Sequence, residues 1–276
     1  MGAAPILVAL LLTSTTTAQK PEATNDLQSI EMCNGSSRIS IESRITGCTT
    51  LIESHQSTPT AKAIAYNNRG NAFIIKSDYE RAVQDFNESI KLNPTFTKPF
   101  NNLGVAHLRK GEYDLAIQSL DEAIKLDPDY GGAFANRAEA YVKKNEYDRA
   151  SHDYDQAIRL KPDLEAVWTG RCWTRAILGQ LQAALEDCNK ALQSELNKAA
   201  AYDSRGLIHL KMGQLNEAID DYTSALQFDP SLAAALYGRG LARLKKGDVT
   251  GSITDISAAK TIQYKIADDF TLYGVR

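Results

Sequence analysis

The chain has 276 residues, 43% of them apolar, with 31 basic against 34 acidic side chains and a formal net charge of -3. This is ample apolar material for the core of an ordinary soluble protein. It leaves no basic excess for a phosphate-backbone footprint, which argues against nucleic acid as a partner.

The apolar run from Ile6 to Leu12 is followed by Thr13 to Thr17 and Ala18, a small residue with Thr16 two places before it. Residues 1–18 therefore read as a cleaved signal peptide, although their only positive charge is the amino terminus. The alternatives are an apolar tail or an uncleaved anchor. The run is short for a bilayer, so no integral membrane span is expected after cleavage. In the leader, residues 19–62, Cys33 and Cys48 bracket a segment in which Ile41 and Ile45 stand one helical turn apart, with Leu51 and Ile52 following. This predicts a helix tied back on its own leader as an N-terminal cap.

From residue 63 a beat of 34 residues runs through every phase. Gly70, Gly104, Ala138, Cys172, Gly206 and Gly240 share one position. Twelve residues later stand Ala82, Ala116, Ala150, Ala184, Ala218 and Ser252, and four further Phe86, Leu120, Tyr154, Cys188, Tyr222 and Ile256. Prolines close four units at Pro94, Pro128, Pro162 and Pro230, and Leu196 takes that place in the fourth. Small residues let two helices approach, large ones fill the gap, and proline ends the second helix. The expected units are 63–96, 97–130, 131–164, 165–198, 199–232 and 233–266. Such a period predicts an all-α solenoid of stacked hairpins, none of which buries its apolar face alone. Residues 267–276 are expected to be a C-terminal cap, with Ile266, Phe270 and Tyr273 covering the last unit.

The run from Ala63 to Pro94, with Tyr66, Gly70, the turn at Ser77-Asp78-Tyr79, Ala82, Phe86 and Pro94, resembles the tetratricopeptide repeat. That resemblance implies a right-handed superhelix whose groove is lined by the first helix of each hairpin. The cysteine-bearing leader is similar to that of exported bacterial members of the family, found largely in alphaproteobacteria, which points to a periplasmic or secreted protein. In an exported chain four cysteines suit disulfides, and Cys172 with Cys188 occupy facing phases of one unit, so a bond between them is expected beside Cys33 with Cys48. Buried free thiols and the other pairings are the alternatives.

Arg69, Arg137, Arg171, Arg205 and Arg239 precede the glycine phase, and sixteen residues on stand Asp85, Asp153, Asp187, Asp221 and Asp255. The second unit has Leu103 and Ser119 instead. This covariation predicts structural pairs within a unit rather than a ligand-binding stripe. The groove positions implied by the resemblance are Asn67, Asn71, Asn101, Asn102, Val105, Arg109, Glu139, Lys143, Trp173, Leu207, Lys211, Tyr237, Leu241 and Lys245. Amides in the first units would bond an extended backbone, and the apolar surface of the later ones would anchor side chains. A carboxylate clamp for a chaperone tail is rejected, because Asn67, Gly132 and Asn136 stand where it needs basic residues.

His107 and His209 fall at a packing phase, and no nucleophile and base pair, metal motif or phosphate loop repeats. The expectation is a non-enzymatic interaction scaffold of the cell envelope, without cofactor, that binds a peptide or a partner protein in its groove. The alternative is a glycan or lipid on the apolar half.

Overall fold

The computed structural model describes residues 22–35, 38–194 and 197–275. The signal peptide expected at 1–18, and Leu196, lie outside them. The described residues form fifteen α-helices and no strand. A hairpin of α1 (Glu22–Asn34) and α2 (Ile41–Glu53) opens the chain. Six further hairpins follow: α3 (Pro59–Ile75) with α4 (Tyr79–Leu92), α5 (Thr97–Lys110) with α6 (Tyr113–Leu126), α7 (Gly131–Lys143) with α8 (Tyr147–Leu160), α9 (Glu165–Ile177) with α10 (Leu181–Ala191), α11 (Lys198–Lys211) with α12 (Leu215–Phe228), and α13 (Ala233–Lys245) with α14 (Val249–Ile262). A short helix, α15 (Ile266–Leu272), ends the order.

Within each hairpin the glycine phase lets the helices close on a large residue sixteen places on. A Cβ on Gly70 would stand 2.6 Å from the Phe86 ring, and one on Gly104 2.5 Å from Leu120 Cγ. In the fourth hairpin this contact is replaced by a bond: Cys172 and Cys188 form a disulfide with their Cα atoms 5.3 Å apart. A second disulfide, Cys33–Cys48, joins α1 to α2, so the leader carries a whole hairpin where the sequence suggested one helix. The polar run of α1 hid it, since Leu27 and Ile30 point to solvent and Cys33 is its buried apolar anchor.

Each hairpin tip has a left-handed residue: Ser77, Gly111, Asn145, Gly179, Gly213 and Gly247. Each helix closed by proline ends in a residue outside the helical region (Asn93, Asp127, Lys161, Asp229), as a following proline favours, and Gln263 ends α14 the same way without one. The fourth hairpin, without that proline, has the shorter α10.

The first helices α3, α5, α7, α9, α11 and α13 touch their neighbours in succession, whereas among the described residues the second helices do not touch one another. The first-helix layer is therefore the inner, concave side of the solenoid.

Candidate functional site

The arginines are structural staples. Arg69 donates from Nε and Nη2 to both oxygens of Asp85 at 2.8 Å, and Arg137, Arg171, Arg205 and Arg239 grip Asp153, Asp187, Asp221 and Asp255 in the same way. All five aspartates are buried. The remaining Nη1 reaches back to the preceding hairpin, Arg137 to Asp121 at 2.6 Å, Arg171 to Asp155 at 2.7 Å and Arg205 to Asn189 at 2.8 Å. One guanidinium thus ties two helices of its own unit and the seam to the preceding unit as well. An aromatic residue lies over four of them, Tyr66, Phe134, Trp168 and Tyr202, at 5.0–5.5 Å. Burial pushes the Asp85 carboxyl up against the downward pull of Arg69, so the desolvation is substantial even with a bidentate partner.

The groove expectation needs correction at both ends. Asn67 and Asn101 are buried, and with Asn102 they are spent on one another rather than open to a ligand backbone. Asn136 donates to Asn101, Asn101 to Asn102, Asn102 to Asn67, Asn67 to Asn68 and Asn68 to Asn34, each at 2.9–3.3 Å. This amide ladder crosses the seams from the leader hairpin to α7. An amide bonds equally well to an amide of the next turn, so the composition alone could not separate ladder from binding face.

At the other end the protein's own C-terminal segment occupies the inner face. Tyr273 packs edge-on to Trp173 of α9 with ring centroids 5.4 Å apart, and Phe270 meets Tyr237 of α13 at 4.9 Å. Lys211 donates to the backbone oxygens of Ala176 at 2.7 Å and Tyr273 at 2.9 Å, and burial pulls its pKa down. Ile266 and Phe270 do sit on the last unit, but Tyr273 passes beyond it to the fourth. Leu207 is core, Leu241 is packed against it, Trp173 and Tyr237 are half-buried with the C-terminal aromatics against them, and Lys211 is a clamp. The C-terminal segment therefore occupies part of the apolar half assigned to side-chain anchoring.

What stays accessible is the middle of the face. Asn71 and Val105 are half-buried, Arg109, Lys143 and Lys245 are exposed, and Arg109 meets Glu139 at 3.5 Å. Between α7, α8, α9, α11 and the C-terminal segment lies a cleft of about 620 Å³. Its floor includes Asp203, whose Oδ1 is shut from solvent with no hydrogen-bond partner. Burial alone pushes that carboxyl up to about 7. Tyr147, Trp173 and Tyr273 wall it, with Tyr147 and Trp173 edge-on at 5.6 Å. Tyr147 and Tyr273 are absent from the sequence-derived site, and Asp203 stands at one of its groove phases without being singled out. A signal for Asp203 was present: its phase otherwise holds Asn67, Asn101, Ala135, Thr169 and Tyr237, none of them charged.

His107 is hydrogen-bonded to Glu112 at 2.6 Å, and His209 Nδ1 lies 2.9 Å from Asp221 without making a hydrogen bond. Among the described residues no three His, Cys, Asp or Glu side chains are placed to hold a metal ion, and no helix is long and apolar enough to cross a membrane.

Tetratricopeptide repeat family models match residues 63–96 and 98–130, 132–164 and 206–247. No curated protein sequence matches the chain. Among solved structures, YrrB, a TPR protein with an unusual peptide-binding site, is 22% identical with a TM-score of 0.53 over 69% of this chain and 96% of its own. A tetratricopeptide repeat protein from Parabacteroides merdae is 14% identical with a TM-score of 0.65, over 91% and 98%. The Cut9–Hcn1 hetero-tetramer of the APC/C is 15% identical with a TM-score of 0.70, over 90% of this chain and 51% of that one. At these identities the likeness is one of fold.

Proposed function

The chain belongs to the tetratricopeptide repeat family, and from that premise we propose that it is a non-enzymatic interaction scaffold of the cell envelope, periplasmic or secreted, which docks a peptide segment or partner protein along its concave face. The observation that carries this reading is the C-terminal segment itself. A stretch of polypeptide already lies on the inner face, its aromatic side chains against Trp173 and Tyr237 and its backbone held by Lys211. The same physics, aromatic anchors plus donors to backbone carbonyls, would serve a partner on the neighbouring stretch of Asn71, Val105, Arg109, Glu139 and Lys143. YrrB, with its unusual peptide-binding site, offers a precedent within the fold.

The envelope assignment is supported by two bonded cysteine pairs, which persist in oxidising compartments. Crosslinking in intact cells, followed by identification of attached proteins, tests the groove. A chain carrying Val105→Glu with Arg109→Glu should lose partners that the native chain retains, while keeping its helical circular dichroism. An unchanged partner set would reject the concave face. Fractionation with thiol trapping tests the compartment, since cytoplasmic protein with free thiols would reject it.

A further inference from the structure

Asp203 presents a physical anomaly. Its Oδ1 is enclosed without a hydrogen-bond donor, as is the hydroxyl of Tyr222 nearby, and the neighbouring Ser204 spends its own hydroxyl on Ala200 O at 2.8 Å. Buried polar groups are almost always satisfied, so an orphan carboxylate oxygen on the floor of a cleft calls for a partner the chain does not supply. Two more carboxylates line the same cleft, Glu139 and Asp269, against one basic side chain, the exposed Lys143. Glu139 is loosely engaged by Arg109, and Asp269 accepts from Gln263 at 2.5 Å. Asp203 alone of the three lacks even this.

The walls select among cations. Tyr147, Trp173 and Tyr273 meet edge to face, which turns ring surfaces in more than one direction around the cleft instead of aligning one flat platform. A box of this kind attracts the diffuse positive charge of an alkylammonium group, and a flat sugar face would find no matching shelf. A hydrated metal ion would need converging carboxylates, and no such cluster exists among the described residues.

We infer that this cleft is a binding site for an organic ammonium ion, with Asp203 as its anionic anchor and Tyr147, Trp173 and Tyr273 as its aromatic walls. The site goes beyond peptide docking and does not depend on it, because the ammonium group belongs equally to a lysine side chain or to a free polyamine. One of the three aromatic walls, Tyr273, comes from the C-terminal segment, so the site is complete only while Tyr273 lies on Trp173.

Calorimetric titration of the full chain at pH 8 tests this with three probes: spermidine, a blocked Gly-Lys-Gly peptide and the same peptide acetylated on the lysine nitrogen. One saturable site per chain is expected for the amines, weakened at least about tenfold by acetylation and by Asp203→Asn, and several-fold by Trp173→Leu. Tighter binding of the peptide identifies a lysine side chain as the source, and tighter binding of spermidine a free polyamine. Asp203→Asn should melt no lower than the native chain at pH 8. Equal binding of amine and acetylated peptide, native affinity in Asp203→Asn, or no saturation with either amine would each overturn the site. So would an Asp203→Asn chain that folds but melts lower and no longer binds, since that would make Asp203 a structural hub with Tyr222. If Asp203→Asn does not fold, Trp173→Leu and the acetylation comparison carry the decision.

Discussion

At the residue scale the chain uses carboxylates in two opposed ways. Asp153 is buried under a guanidinium with both oxygens engaged, so removing one partner strands the other. Asp153→Ala should cost about 3 kcal/mol in chemical denaturation. The second unit has Leu103 and Ser119 at these phases, and grafting them as Arg137→Leu with Asp153→Ser should cost less than the sum of the single changes, which a double-mutant cycle would read directly. Asp203 is the reverse case. Its folded carboxyl holds a proton up to about pH 7, against an ordinary value of 3.8. Between those values the native state binds more protons than the unfolded one, so stability falls as pH rises through the window. Asp203→Asn does not ionise and should gain on the order of 2 kcal/mol over the native chain above pH 7, with the gap closing toward pH 4. Other groups around the cleft and nearby are Glu139 and Lys143 on α7, Tyr147 and Tyr154 on α8, Tyr222 on α12, and Asp269 and Tyr273 at the C-terminal segment. The tyrosines shown here titrate upward, away from this window. The arginine and aspartate partners were legible because they covary along the repeat; the isolation of Asp203 was not, since an unpaired oxygen is a property of its surroundings.

At the scale of the element, each hairpin is a tip, a close approach and a stop. Ser77 sits at the tip with a φ of 59°, where L side chains are strained and four of the six units use glycine. Ser77→Gly should stabilise the chain by roughly 0.5–1 kcal/mol, measurable as a shifted urea midpoint. In the fourth unit the disulfide stands where the other close approaches use packing, closing a separation of sixteen residues. Replacing both cysteines by alanine should cost about 3 kcal/mol. Cys172→Gly with Cys188→Phe should recover part of that loss under reducing conditions, because it restores the contact made by Gly70 and Phe86. Another pairing went unread. Tyr154 and Tyr222 are longer than the residues in the other units, and their hydroxyl ends fit because Gly170 and Gly238 stand opposite in the next hairpin, where a Cβ would come within 2.6 and 2.2 Å. That match was present at a spacing of sixteen, but it joins different units and stays hidden when each is compared only with itself.

At the scale of the whole molecule, function turns on how much of the concave face is free. The C-terminal segment packs against Trp173 and Tyr237 and leaves the stretch from Asn71 to Lys143 accessible. Deleting residues 267–276 should uncover Trp173, red-shift its emission and abolish ammonium binding, and an unshifted spectrum would mean the segment does not lie where Tyr273 is seen. The sequence by itself determined the repeat, the hairpins, the close approaches and the arginine staples. Those are decided within one period or between adjacent ones, and 34-residue covariation records them. Only the tertiary structure decided which polar groups were already spent. Asn67, Asn101 and Asn102 satisfy one another across seams, and Lys211 finds a carbonyl 62 residues away. The free energy of a polar or apolar group depends on what else reaches it, and a segment that returns over three hairpins leaves no periodic trace in the chain it covers.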